Sequence, residues 1–407
     1  MNKPINQADE PILPLQYPFP LGENGTPPLV LHWARKHRPV CPVRLPSGKQ
    51  VWMITRKDDV EAVLNDPRFS RDLTFAGAPR MVGEDFTAIP GGIFNLDPPD
   101  HGRVRQVLKG FYTPAGVERY RPLVEQYAAR LLDTMEQGLN PTDLIEAYVG
   151  PLPLQVSSDI LKIPIEHRKT YLQYFQTQTD LSADPEVISA ATNKVKEFTQ
   201  AIIETRSSAS DLNSDDPIGA LINAQKAGII SESEVLGTVC YLLITGSEPL
   251  VAPLGTGTFT LMLHRNQLRE CIADPALWSK AVEEVLRYHH NGVLGLPRVA
   301  LEDVPMHNMV IRKNEAVCTT MLGATWDHKH YPNPHKFDIH RTTNASITFG
   351  HGPHFCLGAS LARMFLQVAF SALFTRFPDL FLAIPEREVP WDGATIFIKP
   401  CSLPVSW

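Results

Sequence analysis

Phe349-Gly350-His351-Gly352-Pro353-His354-Phe355-Cys356-Leu357-Gly358-Ala359 is the stretch on which the reading of this chain turns. Its cysteine precedes an apolar, helix-forming run, Ala359-Ser360-Leu361-Ala362-Arg363-Met364-Phe365-Leu366, so a helix is expected to start at the sulfur. The unpaired N–H groups and positive potential of a helix start favour a thiolate over a thiol. Gly350 and Gly352 permit backbone conformations and close approaches that residues with a Cβ resist. The segment therefore describes a tight loop presenting one thiolate to a bulky flat partner, with a helix beneath it. A free cysteine is most often an inert core residue, but a core position calls for no glycine loop around it.

Two charged constellations lie upstream. Glu284-Val285-Leu286-Arg287 sets a carboxylate and a guanidinium on one helix face, close enough to pair. Taken alone, such a pair reads as a solvated surface bridge that contributes little. In Asp97-Pro98-Pro99-Asp100-His101-Gly102-Arg103-Val104-Arg105, His101 and Arg105 share a face near a helix start that Asp97 or Asp100 is suited to cap. Together they are able to hold carboxylates, although surface charges at this spacing are usually just solvated.

The cysteine stretch strongly resembles the haem-binding signature of the cytochrome P450 family, Phe-Gly-x-Gly-x-His-x-Cys-x-Gly-x-x-Leu-Ala, with every fixed position present. The resemblance extends over essentially the whole chain. It implies a mainly α fold with small β-sheets, one cytochrome P450-type domain over residues 1–407. It implies haem b (iron protoporphyrin IX) with Cys356 as the axial ligand of the iron and Phe349, Gly350, His354 and Gly358 around it. A thiolate ligand favours O–O cleavage, while the protein supplies orientation, protons and exclusion of water. The resemblance makes Glu284 and Arg287 a buried structural pair that locks the segment leading to the haem ligand. It makes His101, Arg105, Arg298 (in Leu296-Pro297-Arg298-Val299-Ala300) and His354 the partners of the haem propionates. The family's Asn-Arg-Asp triplet is here Thr325-Trp326-Asp327, followed by Pro334-His335-Lys336-Phe337, so two positions depart.

A departure closer to the chemistry falls in Leu243-Ile244-Thr245-Gly246-Ser247-Glu248-Pro249-Leu250-Val251-Ala252-Pro253, expected to cross the distal haem face. Most relatives carry Ala-Gly-x-(Asp/Glu)-Thr, whose acid and hydroxyl organise proton delivery to dioxygen. Here Gly246 and Glu248 remain, Thr245 replaces the alanine and Pro249 the threonine. Pro249 removes the N–H that would bond the Thr245 carbonyl, and Pro253 repeats this one turn on. An interior proline costs ~3 kcal/mol in a regular helix, so a bend is expected, and the freed carbonyls of Thr245 and Pro249 need other partners. Proton delivery then falls to Glu248 and Thr245 as candidate catalytic residues, with Ser247 a further hydroxyl and the substrate or water the remaining routes.

Around these motifs the chain reads as an ordinary globular protein, 43% hydrophobic and 20% charged over 407 residues. A net charge of −6 gives no support for nucleic-acid binding. Cys41, Cys240, Cys271, Cys318, Cys356 and Cys401 show no metal spacing or disulfide framework, which fits a reducing compartment. Met1–Gln7 lacks a signal-peptide core, and no run of about 20 uninterrupted apolar residues spans a bilayer. A soluble, cytoplasmic protein is expected. Residues 1–30, rich in proline, read as an extended surface arm. Lys49–Thr55 reads as a strand, Asp58–Leu64 as a helix and 70–95 as a long functional loop. From 115 to 227 the text is helical with breaks at Pro141, Pro151, Pro153 and Pro164. Ser231–Glu234 reads as a capping box for a helix through the 240s, and 296–320 as strands.

The expected activity is that of a haem-thiolate oxidase hydroxylating or oxidatively coupling a small organic molecule in specialised metabolism. With the chain ending at Trp407 soon after its last strands, electrons are expected from a separate ferredoxin and its NAD(P)H-dependent reductase. Peroxygenase relatives carry Arg-Pro where this chain has Glu248-Pro249, which argues against a hydrogen-peroxide-using fatty-acid enzyme. A non-catalytic haem-thiolate sensor or recruitment module is the other alternative, and a haem-free scaffold is disfavoured by the intact loop. Val293, Leu294, Leu296, Ile396 and Phe397 are expected to line an apolar substrate pocket.

Overall fold

The computed structural model describes residues 11–208, 215–342 and 346–407. Its largest core is built on the helix that follows the cysteine loop, Ala359–Arg376. Phe365, Phe370, Leu373 and Phe374 of this helix are buried against Arg121–Glu136, Glu248–Leu263 and Trp278–Tyr288. Trp278 stacks on Phe374 with ring centroids 6.0 Å apart, fixing the two helices face to face. The cysteine loop is thus anchored on a helix of the largest core.

Beside the helices lies a six-stranded sheet ordered Leu15–Gln16, Val40–Arg44, Gln50–Ile54, Ala316–Thr319, Arg298–Ala300, Phe69–Ser70. The expected strand and helix after Lys49 are present as Gln50–Ile54 and Lys57–Asn65. The surface-arm reading of residues 1–30 needs correction for its described part. Leu15, Tyr17 and Phe19 alternate with polar or proline residues, and this period of two carries all three inward, where each is at most 6% exposed. Leu15 and Gln16 pair in parallel with Val43 and Arg44. The first ten residues lie outside the described ones.

At Pro151 one helical segment gives way to another: Ile145–Val149 ends at Gly150, and Pro151 and Pro153 fall at the start of the next. They sit in the first turn of Pro151–Ile160, where the N–H groups have no helical acceptor and proline is tolerated. The capping box is present: Ser231 Oγ accepts from Glu234 N, and the Glu234 carboxylate accepts from Ser231 N at 2.7 Å. The helix it opens, Glu232–Thr245, stops at Gly246, and a second helix, Glu248–Leu263, follows. The combined run Glu232–Leu263 is long and apolar enough to cross a bilayer, but 78% of its most apolar window is buried inside the protein, which makes it core. The 70–95 loop holds one short helical turn, Phe86–Ala88, capped by the buried Asp85. Asn95 Nδ2 pins it by donating to Thr87 O at 2.8 Å and Ile89 O at 3.0 Å.

Candidate active site

The cysteine loop closes on itself. Cys356 N donates to Phe349 O at 2.9 Å, and Gly350 and Gly352 take φ of 80° and 70°. A Cβ on Gly352 would lie 2.7 Å from Leu64 O, so only glycine fits there. The helix starts at Ala359 with Gly358 as its cap, so the sulfur stands just ahead of the first turn rather than at its first residue. The thiol opens onto an internal cavity of about 410 Å³. Burial pushes the Cys356 thiol up, against the lowering pull of the Gly358 N–H and the Arg105 and Arg363 guanidiniums. A coordinated metal reverses that balance, because metal-bound thiols are deprotonated outright.

The cavity runs from Phe349, Cys356 and Gly358 to Leu242, Thr245, Gly246 and Pro249 on the broken helix. His101, Arg105 and His354 also line it, with the His101 and His354 rings 4.1 Å apart. His354 Nε2 is buried without a partner. Arg298 is buried beside them, its guanidinium donating to Phe69 O at 3.3 Å. Burial, then mutual repulsion, drives these groups toward neutrality: His101 to about 4, His354 to about 2 and Arg298 to about 9. Burial also lowers Arg105. Two guanidiniums and two imidazoles crowded this way, one imidazole nitrogen orphaned, fit a buried dianion. A flat macrocycle with one axial ligand and two carboxylates matches both the thiol and the donors.

The distal helix holds two corrections. The break at Gly246–Ser247 places Pro249 second in the new helix, so its missing N–H leaves no gap in the ladder. Pro253 does sit inside, and the Pro249 carbonyl that it leaves free accepts instead from Asn291 Nδ2 at 2.7 Å. Glu248 does not line the cavity. Its carboxylate is buried, bound to Lys399 Nζ at 2.7 Å and to Gln176 Nε2 at 3.1 Å. Thr245 does line it, with Oγ1 donating to Tyr241 O at 2.7 Å and its oxygen left able to accept. Ser247 Oγ is buried with no partner.

Glu284 and Arg287 are buried and doubly bonded, both contacts at 2.7 Å. Arg287 reaches Thr325 O and Pro334 O, while Arg341 joins Glu284 at 3.1 Å. The pair thus ties its helix to the irregular stretch before the cysteine loop. In the altered triplet, Asp327 accepts from Lys57 N at 3.1 Å and Trp326 Nε1 donates to Tyr288 O at 3.1 Å.

The expected pocket residues stand elsewhere. Val293 and Leu294 are buried in the cluster that takes in Leu15, Tyr17 and the sheet. Leu296, Ile396 and Phe397 pack on Phe86, Phe175 and Tyr241, behind the cavity wall. Ile93 and Phe94, from the 70–95 loop, form the wall with Tyr241 and Leu242. An apolar run in sequence does not say which of its residues face a cavity and which face the core. Sequence reasoning also passed over Lys399 and Arg71. Arg71 carries a signal in retrospect, an arginine within two residues of a buried strand.

This fold and site are those of a haem-thiolate monooxygenase, and the chain belongs to the cytochrome P450 family. A profile described as Cytochrome P450 matches residues 270–390. The chain is 35% identical to nocardicin C N-oxygenase of Nocardia uniformis subsp. tsuyamanensis, over 92% of this chain and 94% of that one. It is 32% identical to mycinamicin IV hydroxylase/epoxidase of Micromonospora griseorubida, over 91% and 92%. Among solved structures, cytochrome P450mel 107F1 with biaryl coupling reactivity superposes with a TM-score of 0.89 at 32% identity, over 96% of this chain and 99% of that one.

Proposed function

We propose that this chain binds haem b through Cys356 and oxidises a small organic molecule of specialised metabolism, drawing electrons from a separate ferredoxin and its NAD(P)H-dependent reductase. The observation that carries the reading is the Cys356 thiol facing a cavity whose lining also holds the cluster of His101, Arg105 and His354. Relatives that N-oxygenate, hydroxylate, epoxidise and couple aryl groups support the reaction class. Bound here, haem supplies the oxidising chemistry with dioxygen. The chain's own residues hold and shield it. Cys356 Sγ is the iron ligand and receives the Gly358 N–H. His101, Arg105, Arg298 and His354 hold the two carboxylates. Thr245 keeps a hydroxyl at the distal wall to hold a water or pass a proton. Ile93, Phe94, Tyr241 and Leu242 keep the substrate end apolar and exclude bulk water.

The test is the spectrum of the reduced carbon monoxide complex. The parent is expected at the red-shifted position of thiolate ligation, Cys356→Ala to lose that band and all turnover, and Cys356→His to give an imidazole-type spectrum. An unchanged thiolate band in Cys356→Ala would assign the iron to another cysteine. Substrate-driven NADH consumption with product formation separates an enzyme from a sensor.

A further inference from the structure

Arg71 and Arg298 clasp one another across the strand pair Phe69–Ser70 and Arg298–Ala300. Arg71 Nη1 donates to Pro297 O at 2.5 Å and Leu296 O at 3.2 Å, while Arg298 donates back to Phe69 O at 3.3 Å. Both are buried, at 3% and 7% exposure, and Arg71 Nη2 has no partner among the described residues. Arg71 is also fixed at 3.9 Å over the Phe94 ring, which itself lines the cavity. Two like charges held side by side away from water repel and are costly unless an anion stands with them.

The protein's own carboxylates do not supply it. Asp97 faces this cluster and uses its oxygens for Arg71 N and Ser70 Oγ. Asp85 is the other acid near Arg71, and its carboxylate accepts from Thr87 N and lies beside Arg80. Four guanidiniums (Arg71, Arg80, Arg105, Arg298) against two carboxylates (Asp85, Asp97) leave a surplus of two positive charges. A haem brings two carboxylates.

We propose that Arg71 is a haem-carboxylate residue, sharing with Arg298 one of the two carboxylates through its unpartnered Nη2. This rests on the haem reading of the site above. Without Arg71, the clasp would hold one cation fewer than the dianion requires.

The experiment compares haem transfer from the loaded protein to an excess of a haem-scavenging apoprotein, in the parent, Arg71→Gln and Arg71→Lys, alongside the haem midpoint potential. Arg71→Gln is expected to lose haem about tenfold faster or more and to shift the potential negative, since a cation near the iron is gone. Arg71→Lys keeps the charge and should recover part of both. Each variant is also loaded with haem dimethyl ester, whose carboxylates are neutral, and there the difference between parent and Arg71→Gln should vanish. A difference that persists with the ester overturns the proposal, as does haem loss in Arg71→Gln within twofold of the parent. An effect confined to the binding of carboxylic-acid substrates overturns it too, in favour of a substrate site. A retained thiolate band in every variant keeps failure here distinct from failure of the Cys356 assignment.

Discussion

At the scale of single residues, Glu248 and Thr245 divide work that one reading of the chain would give to both. Glu248 is held by Lys399 and Gln176 behind the cavity wall, so its charge stabilises the second distal helix where it starts. Thr245 has one proton committed to Tyr241 O and an oxygen free toward the cavity. Glu248→Gln should therefore reduce stability by roughly 1–3 kcal/mol, since the partly buried Lys399 ammonium loses its carboxylate, while coupling of NAD(P)H to product stays near that of the parent. Thr245→Ala should do the reverse, leaving stability and substrate affinity close to unchanged. Its product formation should fall by about tenfold or more, with hydrogen peroxide released instead. Thermal unfolding and the product-to-NAD(P)H ratio are the two measurements. A Glu248→Gln variant that uncouples at full stability would return the proton to the carboxylate.

Among elements, the broken distal helix joins local to distant causes. Gly246 and Ser247 end one helix, and the next opens with Pro249 in a turn that has no use for its N–H. Asn291 then takes over the bond that Pro253 forgoes. Asn291→Ala should leave the Pro249 carbonyl buried and unpaired at a cost of about 1–3 kcal/mol. Pro253→Ala in the same chain returns a backbone donor and should recover most of the loss, which denaturant unfolding of the single and double variants measures. The cysteine loop and the Ser231–Glu234 capping box were legible in the sequence because each is closed by residues within a few positions of one another. The break itself was not: two prolines announce a bend, but whether a proline is first-turn or interior depends on where the preceding helix stops. The partners of Glu248 and Pro249 were invisible for a different reason. Lys399 lies 151 residues from Glu248 and Asn291 lies 42 from Pro249, and one sequence carries no record of such pairings. The same limit hid the facing of Val293 and Leu294, whose apolar character suits a core as well as a pocket.

Across the whole molecule, several histidines are buried neutral, and this sets how the fold answers acid. Burial pushes His289 down to about 3, where its Nε2 shares a hydrogen bond with Thr260 Oγ1 at 2.7 Å. Burial, with Arg35 and two further histidines, pushes His32 down to about 4. Both ordinarily titrate near 6.5, so in acid the unfolded chain takes up these protons before the folded one does. Stability from these sites is full above pH 6.5 and falls as the pH drops toward the folded values. Asp66 acts in a lower window: the Arg68 guanidinium holds it below its usual 3.8, so its contribution is lost only beneath that pH. Unfolding stability should thus be flat from pH 8 to 7 and decline between pH 6.5 and about 4 through these histidines. His289 alone accounts for up to roughly 3 kcal/mol of the decline. His289→Gln, which keeps a hydrogen-bonding group toward Thr260 and removes the titration, should lower stability at pH 7.5 yet flatten the slope between pH 6.5 and 4 by close to one proton. Denaturant unfolding across that range reads the slope directly. An unchanged slope in His289→Gln would mean that this ring binds its proton equally in the folded and unfolded chain, and the acid response would have to come from other buried groups.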